Sequence, residues 1–337
     1  MRLATYNVEW FDSLFDDAGL LQRDALWSRR RDVTRTAQID ALGKVYRTLD
    51  ADAVMVIEAP DNSVKRSSVR ALEGFAQAFG LRARRAVIGF SNDTQQEIAL
   101  MYDPDVLDVQ HDPLGSQAQD TAPRFDGTFH IDLDIDARMD HVRFSKPPLE
   151  LAVRTAAGKA LRLIGAHLKS KAPHGATTPN DVMRLSIANR RKQLAQAIWL
   201  RRRIEGHLAA DESVILMGDL NDGPGLDEYE DLFGRSSVEI LMGAPPEACL
   251  YDPHVGQALS RRFNAPPTSA RFHIAQEGRY LQALLDYIMV SPDLAARSPS
   301  WRIWHPFDDP QCWQDPELQA ALLNASDHFP VTMDIAL

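Results

Sequence analysis

The chain has 337 residues, of which 45% are hydrophobic, 25% are charged and 8% are aromatic. These ordinary proportions exclude a disordered or collagen-like chain and predict a globular protein with a sizeable buried core. The formal net charge of −10 argues against tight, non-specific binding to nucleic acid, but it leaves room for an enzyme that contacts a few phosphates. No apolar run approaches the roughly 20 residues of a membrane-spanning helix, so we expect no membrane span.

The cysteine content is typical of a reducing compartment. Cys249 and Cys312 are too few for a disulfide framework or a four-cysteine zinc site. Residues 1–7 precede no long apolar stretch and no small-residue cleavage signal, which argues against a secretory signal peptide. We therefore expect unpaired thiols in a cytoplasmic protein, and the sequence implies no protein partner.

Short apolar runs alternate with helical segments along the chain, which predicts an α/β protein. The predicted strands cover residues 3–10, 53–57, 83–89, 98–102, 129–136, 149–154, 161–168, 214–220, 284–290 and 331–337. The predicted helices cover residues 32–49, 62–80, 181–209 and 315–324, and long polar loops cover residues 112–128, 169–180 and 221–280. Because no linker or repeat divides the chain, we expect one domain over residues 1–337.

Two polar residues near strand ends are the first candidates for a site. Asn7 lies among apolar neighbours in the first strand, where its amide needs hydrogen-bond partners. Glu58 follows the apolar run 53–57 at its carboxyl end, where open α/β sheets bind ligands. Taken alone, Asn7 is more typical of a structural hydrogen bond and Glu58 of an exposed loop.

A third motif, residues 214–222, combines a buried strand with Asp219 and Asn221. Side chains two residues apart on a strand point the same way, so these two share a face. A carboxylate beside an amide suits a divalent cation or a positioned water. An Asx-rich turn after the strand is the structural alternative, and we favour the functional interpretation.

The fourth motif contains Asp327 and His328 before the last strand. Adjacent side chains on extended backbone point in different directions, so one can face a metal while the other handles a proton. Asp286 lies inside an apolar strand, where an unpaired carboxylate is costly. Its partner is either His328, which it would hold in one tautomer, or an arginine in a salt bridge.

His167 ends another apolar strand and is followed by Lys169 and Lys171. A histidine with two nearby cations suits an anionic oxygen on phosphorus, so both lysines are candidates for substrate binding. A solvated loop is the more common explanation for the lysines alone.

The order of these motifs resembles the endonuclease/exonuclease/phosphatase superfamily, and within it the nuclease-like members. The resemblance extends over almost the whole chain. It rests on residues 5–8, 57–58, 167–171, 218–222, 285–291 and 326–331. It implies a four-layer α/β sandwich, in which two packed mixed β-sheets are flanked by helices and the site lies at one edge.

The resemblance also implies roles for the motif residues and a divalent cofactor, Mg²⁺ or Mn²⁺. Asn7, Glu58 and Asp327 are then expected at the metal, and Asp219 and Asn221 are expected to position the attacking water and to hold a second metal. His328, oriented by Asp286, is the expected acid/base group, and His167 is the expected donor to the phosphoryl oxygen. The resemblance leaves open whether Asp219 or His328 takes the proton of water.

The chain departs from the family pattern at three positions. Ile57 stands where the family often has Gln, and Lys146 stands where it usually has Arg, so the planar guanidinium fork is lost. Glu97 loosely matches a carboxylate that orients the strand histidine in some members, here His167.

The function expected from these residues is metal-dependent hydrolysis of a phosphodiester by direct attack of water, with a nucleic acid as the candidate substrate. A phosphomonoesterase or a small-molecule or lipid phosphodiesterase of the same fold is the alternative, which the net acidity favours. A non-catalytic binding module is a third alternative, and the full set of site residues argues against it.

Overall fold

Two large β-sheets packed face to face form the centre of the fold in the computed structural model. The structure describes residues 1–116, 121–132, 139–173, 175–225, 230–245, 248–260, 266–274 and 278–337. The strands in this part of the chain are β1 (Arg2–Asn7), β2 (Ala53–Ala59), β3 (Arg85–Ile88), β4 (Glu97–Tyr102), β5 (Leu107–His111), β6 (Phe129–Ile131), β7 (Asp140–Val142), β8 (Leu149–Thr155), β9 (Ala160–His167), β10 (Val214–Asp219), β11 (Ala270–Ile274), β12 (Arg279–Ala283), β13 (Asp286–Val290), β14 (Ser300–Ile303) and β15 (Val331–Asp334).

The helices pack outside these sheets. They are α1 (Arg35–Leu49), α2 (Ser68–Phe79), α3 (Pro179–Ala209), α4 (Ser237–Met242), α5 (Pro253–Ser260), α6 (Pro292–Ala295), α7 (Pro310–Gln314) and α8 (Pro316–Ala325). Buried residues of α1, α2 and α8 form one core cluster with the outer face of the first sheet. Buried residues of α3 and α4 form a second cluster with the outer face of the other sheet.

Both large sheets are mixed. The six-stranded sheet has the order β14-β15-β1-β2-β4-β3, and the five-stranded sheet has the order β13-β10-β9-β8-β5. The pairs β1–β2 and β9–β10 are parallel, whereas the other pairs in these sheets are antiparallel. This arrangement confirms the predicted four-layer sandwich of two mixed sheets flanked by helices.

The two sheets approach each other closely at Gly165 in β9. A third core cluster, with Met55, Ile57 and Ile215 among its members, fills the space between the sheets. A Cβ atom at Gly165 would lie 2.4 Å from Met55 Sδ and 2.9 Å from Ile98 Cγ2. The missing side chain therefore sets the distance between the sheets, because interiors are packed without spare volume.

The observed elements differ from the sequence-based expectations mainly at short, polar strands. β5, β7, β12 and β14 were not predicted, and four residues of β12 are exposed. The region 221–280, expected as a loop, contains two α-helices and the hairpin strand β11. Part of the predicted strand 129–136 lies outside the described residues.

Two further predictions concern the helices and the cysteines. The helix expected at 181–209 is α3, which begins two residues earlier because Thr178 caps it and Pro179 opens it. Cys249 and Cys312 are not joined in a disulfide, as expected. In the described part of the chain, every helix is too short or too polar to cross a membrane.

Candidate active site

Polar side chains from both sheets meet at one edge of the sandwich. Asp219 ends β10 and is in direct register with His167 at the end of the parallel strand β9. In the other sheet Asn7 ends β1, and its register partner on β2, Ile57, immediately precedes Glu58. Asn7 Nδ2 donates a hydrogen bond to Asp219 Oδ2 at 3.0 Å, which joins the two sheets at this edge.

Asp219 lies at the centre of this arrangement, with only 1% of its surface exposed. Its Oδ1 accepts a hydrogen bond from Asn221 N at 2.8 Å, and its Oδ2 lies 3.5 Å from His167 Nε2 and 3.9 Å from His328 Nε2. Burial raises the pKa of Asp219 to about 7, although the His328 charge and the amide donors act in the opposite direction. A carboxylate with a pKa near neutrality is suited to accept a proton.

The backbone conformations of Gly218 and Asn221 position the residues beside Asp219. Gly218 has φ +139°, and a Cβ there would lie 2.0 Å from the carbonyl oxygen of Ala166. Asn221 adopts a left-handed conformation with φ 50°, and its Nδ2 donates to Leu168 O at 3.1 Å. The side chains of Asp219 and Asn221 therefore lie together, with Asn221 Nδ2 3.3 Å from Asp219 Oδ2.

Of the two partners expected for Asp286, the described part of the structure shows His328 and not an arginine. His328 Nδ1 lies 2.8 Å from Asp286 Oδ2, which also accepts a hydrogen bond from Ser269 Oγ at 2.8 Å. Burial lowers the pKa of His328, but the charges of Asp286 and Asp219 outweigh it and raise the pKa well above 6.5. His328 is therefore an imidazolium that can donate a proton from Nε2.

Glu58 occupies a β-bulge at the end of β2. It has a left-handed backbone with φ 61°, and the register of β2 against β4 shifts around it. Its Oε2 accepts hydrogen bonds from Trp10 N at 2.9 Å and from Gln96 Nε2 at 2.7 Å. Burial raises the pKa of Glu58, which Lys146 partly offsets. Both hydrogen bonds that the described residues give Glu58 go to Oε2, so Oε1 is left for another ligand.

Asp327 lies next to this group and presents a carboxylate without a hydrogen-bond partner in the described part of the chain. Its main-chain N donates to Glu9 Oε2 at 3.0 Å, and Glu9 N donates to Asn7 Oδ1 at 3.0 Å. Burial and the Asp327 charge raise the pKa of Glu9 to about 8, while Arg30 Nη1, 2.8 Å from Glu9 Oε2, lowers it. Glu58, Asp327 and Asn7 therefore converge, although they lie far apart in the sequence.

His167 is buried and neutral. Burial, together with the charges of Lys146 and His328, lowers its pKa well below 6.5. Within the described residues, Glu97 does not contact His167. Glu97 Oε2 accepts a hydrogen bond from Asn92 Nδ2 at 2.8 Å, and His167 Nδ1 has no hydrogen-bond partner there. The expectation that Glu97 orients His167 is therefore wrong, because the loop before β4 folds back onto Glu97.

The three lysines named from the sequence have different surroundings. Lys146 is half-buried beside the carboxylates, where burial lowers its pKa and the charges of Glu58 and Asp219 act in the opposite direction. Lys171 forms an ion pair with the buried carboxylate of Asp222. Lys169 remains half-buried near the site, held through its main chain, and its binding role, like that of Lys171, stays a prediction.

Several residues of the site were not found from the sequence. Gln96 supports Glu58, Glu9 and Arg30 support Asp327, and Ser269 supports Asp286. Each of these supporting residues is a common polar residue outside the six motifs, and its partner is distant in the chain. The only sequence signal was the position of Gln96 beside Glu97 at the start of a strand.

The donor groups at this edge fit a hard divalent cation. Glu58 Oε1 and the Asp327 carboxylate carry no hydrogen bond from the described residues, and Asp327 raises the pKa of Glu58. Oxygen ligands of this kind are those that Mg²⁺ and Mn²⁺ prefer. Asp219, Asp286 and His328 also present ligand atoms within 4.8 Å of one another, but the 2.8 Å contact inside that group is a carboxylate–imidazole hydrogen bond.

Two packed mixed sheets with carboxylates, amides and histidines gathered at one edge define the class of α/β phosphoesterases. Residues 4–328 match the model of the Endonuclease/Exonuclease/phosphatase family. The chain therefore belongs to the endonuclease/exonuclease/phosphatase family, a family of phosphate-ester hydrolases, as its motif order predicted. No curated protein matches the sequence.

Solved structures with the same fold act on different substrates according to their names. Truncated TDP2 from Caenorhabditis elegans is 14% identical with a TM-score of 0.50, over 98% of this chain and 96% of that chain. The mannosyl-6-phosphatase Bt3783 of Bacteroides thetaiotaomicron and an AP endonuclease from Archaeoglobus fulgidus are each 12% identical with a TM-score of 0.51, over 100% of both chains. At these identities the likeness establishes the fold alone.

Proposed function

We propose that the protein is a divalent-metal-dependent phosphodiesterase that hydrolyses its substrate by direct attack of water, with nucleic acid as the substrate class. The observation that carries this proposal is the surroundings of Asp219. This buried carboxylate has a pKa near neutrality and lies between a neutral histidine, His167, and a protonated one, His328. Such a group can take a proton from water while its neighbours contact phosphoryl oxygens.

Glu58 and Asp327 are the residues proposed to hold Mg²⁺ or Mn²⁺, with Asn7 beside them and with Asp219 and Asn221 available for a second ion. When bound, the metal neutralises charge on the phosphoryl group and on the departing oxygen. Gln96 and the Trp10 main chain fix Glu58 through Oε2, and Oε1 accepts no hydrogen bond from the described residues.

Asp219 has a pKa near neutrality and His328 has a pKa well above 6.5, so the two residues have different roles in proton transfer. We infer that Asp219 is the base, since Asn7 and Asn221 orient its carboxylate toward the edge of the sheets. His328 is already protonated, so it donates a hydrogen bond from Nε2 to a phosphoryl oxygen, and Asp286 stabilises its charge. His167, neutral and without a partner on Nδ1, donates one N–H to the same phosphoryl group.

No cysteine or serine nucleophile is needed for this route. Cys312 is buried in the cluster formed by α1, α2 and α8, where its sulfur contacts Arg302 Nη2 at 3.8 Å. Ser269 contacts Asp286, and Ser326 Oγ donates to Asn7 O at 2.8 Å, so both hydroxyl groups support the site. Water is therefore the proposed nucleophile.

A phosphomonoesterase, or a small-molecule or lipid phosphodiesterase, is the second candidate. The net charge of −10 favours a small substrate, and a phosphatase shares the fold. A panel with Mg²⁺ and with Mn²⁺ separates the candidates. It contains single- and double-stranded DNA, RNA, abasic DNA, bis-p-nitrophenyl phosphate, p-nitrophenyl phosphate, sphingomyelin and inositol phosphates.

Preferred turnover of nucleic acid and of bis-p-nitrophenyl phosphate is the expected result. Faster turnover of p-nitrophenyl phosphate would contradict the phosphodiesterase proposal and support the phosphatase. Absence of turnover on the whole panel, with metal binding retained, would support a non-catalytic binding module.

A further inference from the structure

Lys169 and Lys192 are two half-buried lysines near the active site. Neither ammonium group has an ion-pair or hydrogen-bond partner among the residues that the structure describes. Burial lowers the pKa of Lys169, and the positive charge of Lys192 lowers it further. Other lysines of this acidic chain, Lys44 and Lys159, each contact a carboxylate.

The fold holds this pair together through hydrogen bonds to the main chain. Gln193 Nε2 donates to Lys169 O at 2.9 Å, and Gln196 Oε1 accepts from Lys169 N at 2.9 Å. Asn189 Nδ2 donates at 3.0 Å to the carbonyl group three residues after Lys169. Asn189, Lys192 and Gln196 are three and four residues apart on α3, so they share one helix face. That face is seated against the loop that carries Lys169.

The positions of Lys169 and Lys192 lead away from the catalytic carboxylates toward α3. Leu168 N donates to Asp219 O at 3.0 Å, so Lys169 directly follows the residue that is bound to the main chain of the catalytic carboxylate. Lys192 lies on the face of α3 that packs against the segment beginning at Lys169. Cations therefore extend from the catalytic carboxylates along the surface of α3. Like charges that a fold keeps near each other repel, and a bound anion removes this repulsion.

We propose that Lys169 and Lys192 form a second phosphate subsite, which binds the phosphate adjacent to the scissile one on a nucleic-acid strand. This inference rests on the proposed phosphodiesterase function and specifies its substrate. A simple phosphomonoester or a mononucleotide ester has no second phosphate to place there. Contacts of this kind add affinity for a strand without reading its sequence.

The test compares Lys169→Gln, Lys192→Gln and the double variant on two substrates. One substrate is the p-nitrophenyl ester of thymidine 5′-phosphate, and the other is a fluorescent single-stranded DNA oligonucleotide. We expect kcat/KM for the oligonucleotide to fall about fivefold for each lysine removed, and to fall much less for the mononucleotide ester. The slope of log KM for the oligonucleotide against log salt should fall by about 0.7 per lysine.

Arg154→Gln is the matched control, because it also removes one positive charge, but from β8 of the five-stranded sheet and away from the site. Arg154 is exposed on β8 and pairs with Ala160 at the start of β9, whereas His167 lies at the other end of that strand. This variant should leave both substrates and the salt slope as in the wild type. Thermal unfolding of all four variants checks that they fold.

Three results would overturn the subsite. An equal loss on both substrates would place the lysines at the scissile phosphate, and a salt slope equal to that of Arg154→Gln would show a solvated pair. Fluorescence anisotropy of the same oligonucleotide separates the subsite from the proposed function. If the wild type hydrolyses neither substrate, the phosphodiesterase proposal fails. In that case the binding measurement still tests the subsite, and equal oligonucleotide affinity of the wild type and the double variant would reject it.

Discussion

His328 directs its two ring nitrogens toward two different carboxylates. Nδ1 lies 2.8 Å from Asp286 Oδ2, and Nε2 lies 3.9 Å from Asp219 Oδ2. Asp286 begins β13 and Asp219 ends β10, and the two residues are direct register partners in the antiparallel pair of strands. The sheet therefore fixes the spacing of the carboxylates, and the loop before β15 places the imidazole between them.

We expect both His328→Ala and Asp286→Asn to lower turnover, and His328→Ala to lower it more. Loss of the imidazole should lower turnover by on the order of 10²–10⁴, because a proton-handling group is removed. Asp286→Asn keeps the shape but weakens the orientation and the charge stabilisation, so it should cost less. The double variant should lose much less than the product of the two effects, because the pair acts as a unit.

Turnover and thermal unfolding are measured on the same three proteins. A purely structural His–Asp pair would lower the melting temperature and leave the turnover of the folded protein nearly unchanged. Full activity of folded His328→Ala would show that His328 does not have the catalytic role proposed for it.

Activity should depend on a divalent metal, because Glu58 Oε1 and the Asp327 carboxylate accept no hydrogen bond from the part of the chain that the structure describes. A chelator should abolish turnover, and Mg²⁺ or Mn²⁺ should restore it. Mg²⁺ should also raise the melting temperature, since a ligand that binds only the folded state stabilises it. Glu58→Gln should remove most of this shift. Undiminished turnover in excess chelator after exhaustive metal removal would contradict the proposal.

Gln96 should matter for metal affinity, although it is not a proposed ligand. Gln96→Leu keeps the volume but removes the donor to Glu58 Oε2, which leaves that carboxylate less well oriented. We expect the Mg²⁺ concentration for half-maximal activity to rise about tenfold or more, as for other residues that orient metal ligands. Gln77→Ala, on the exposed face of α2, is the control and should have no effect. An unchanged Mg²⁺ requirement in Gln96→Leu would rule out this supporting role.

Gly165→Ala should destabilise the fold by about 1–3 kcal/mol, because the new methyl group meets Met55 and Ile98 between the sheets. Gly206→Ala is the matched change on the exposed face of α3, where a Cβ meets no atom within 4 Å. That variant should stabilise the protein by about 0.5–1 kcal/mol, since alanine favours a helix. Urea unfolding gives both values. Equal stability of the two variants would show that the space between the sheets adapts without cost.

The contribution of Asp252 to stability should fall between about pH 4 and pH 7. Burial raises the pKa of Asp252 to about 7 from its usual 3.8, against the donors His254 N, Val255 N and Ile288 N. Asp252 therefore keeps a proton in the folded protein that it loses in the unfolded chain over this range, so its contribution to the free energy of unfolding decreases as the pH rises and levels off above pH 7.

Asp252→Asn removes this titration but keeps an oxygen acceptor for the two donors at the start of α5. The variant should be less stable at acid pH, because Ile288 N loses its acceptor. Its free energy of unfolding should decrease less between about pH 4 and pH 7 than that of the wild type. Chemical unfolding at several pH values measures both slopes, and parallel slopes would contradict the assignment to Asp252.

The sequence alone determined the family, the fold class and the strand ends on which most of the motif residues lie. Continuous apolar runs such as 53–57 and 214–217 predict strands buried on both faces, and the polar residues that follow them fall at one edge of a sheet. The resemblance to the family, and not the apolar pattern, placed Glu58, His167 and Asp219 in one site.

Only the tertiary structure decided which side chains support the site. Gln96, Glu9 and Ser269 reach their partners through a β-bulge, two left-handed residues and a hairpin, none of which leaves a periodic signal in the sequence. The exposed strand β12 and the half-buried β5 were missed for a related reason. Short polar strands derive their stability from neighbouring strands and not from their own apolar pattern, so their existence depends on contacts that the linear sequence does not contain.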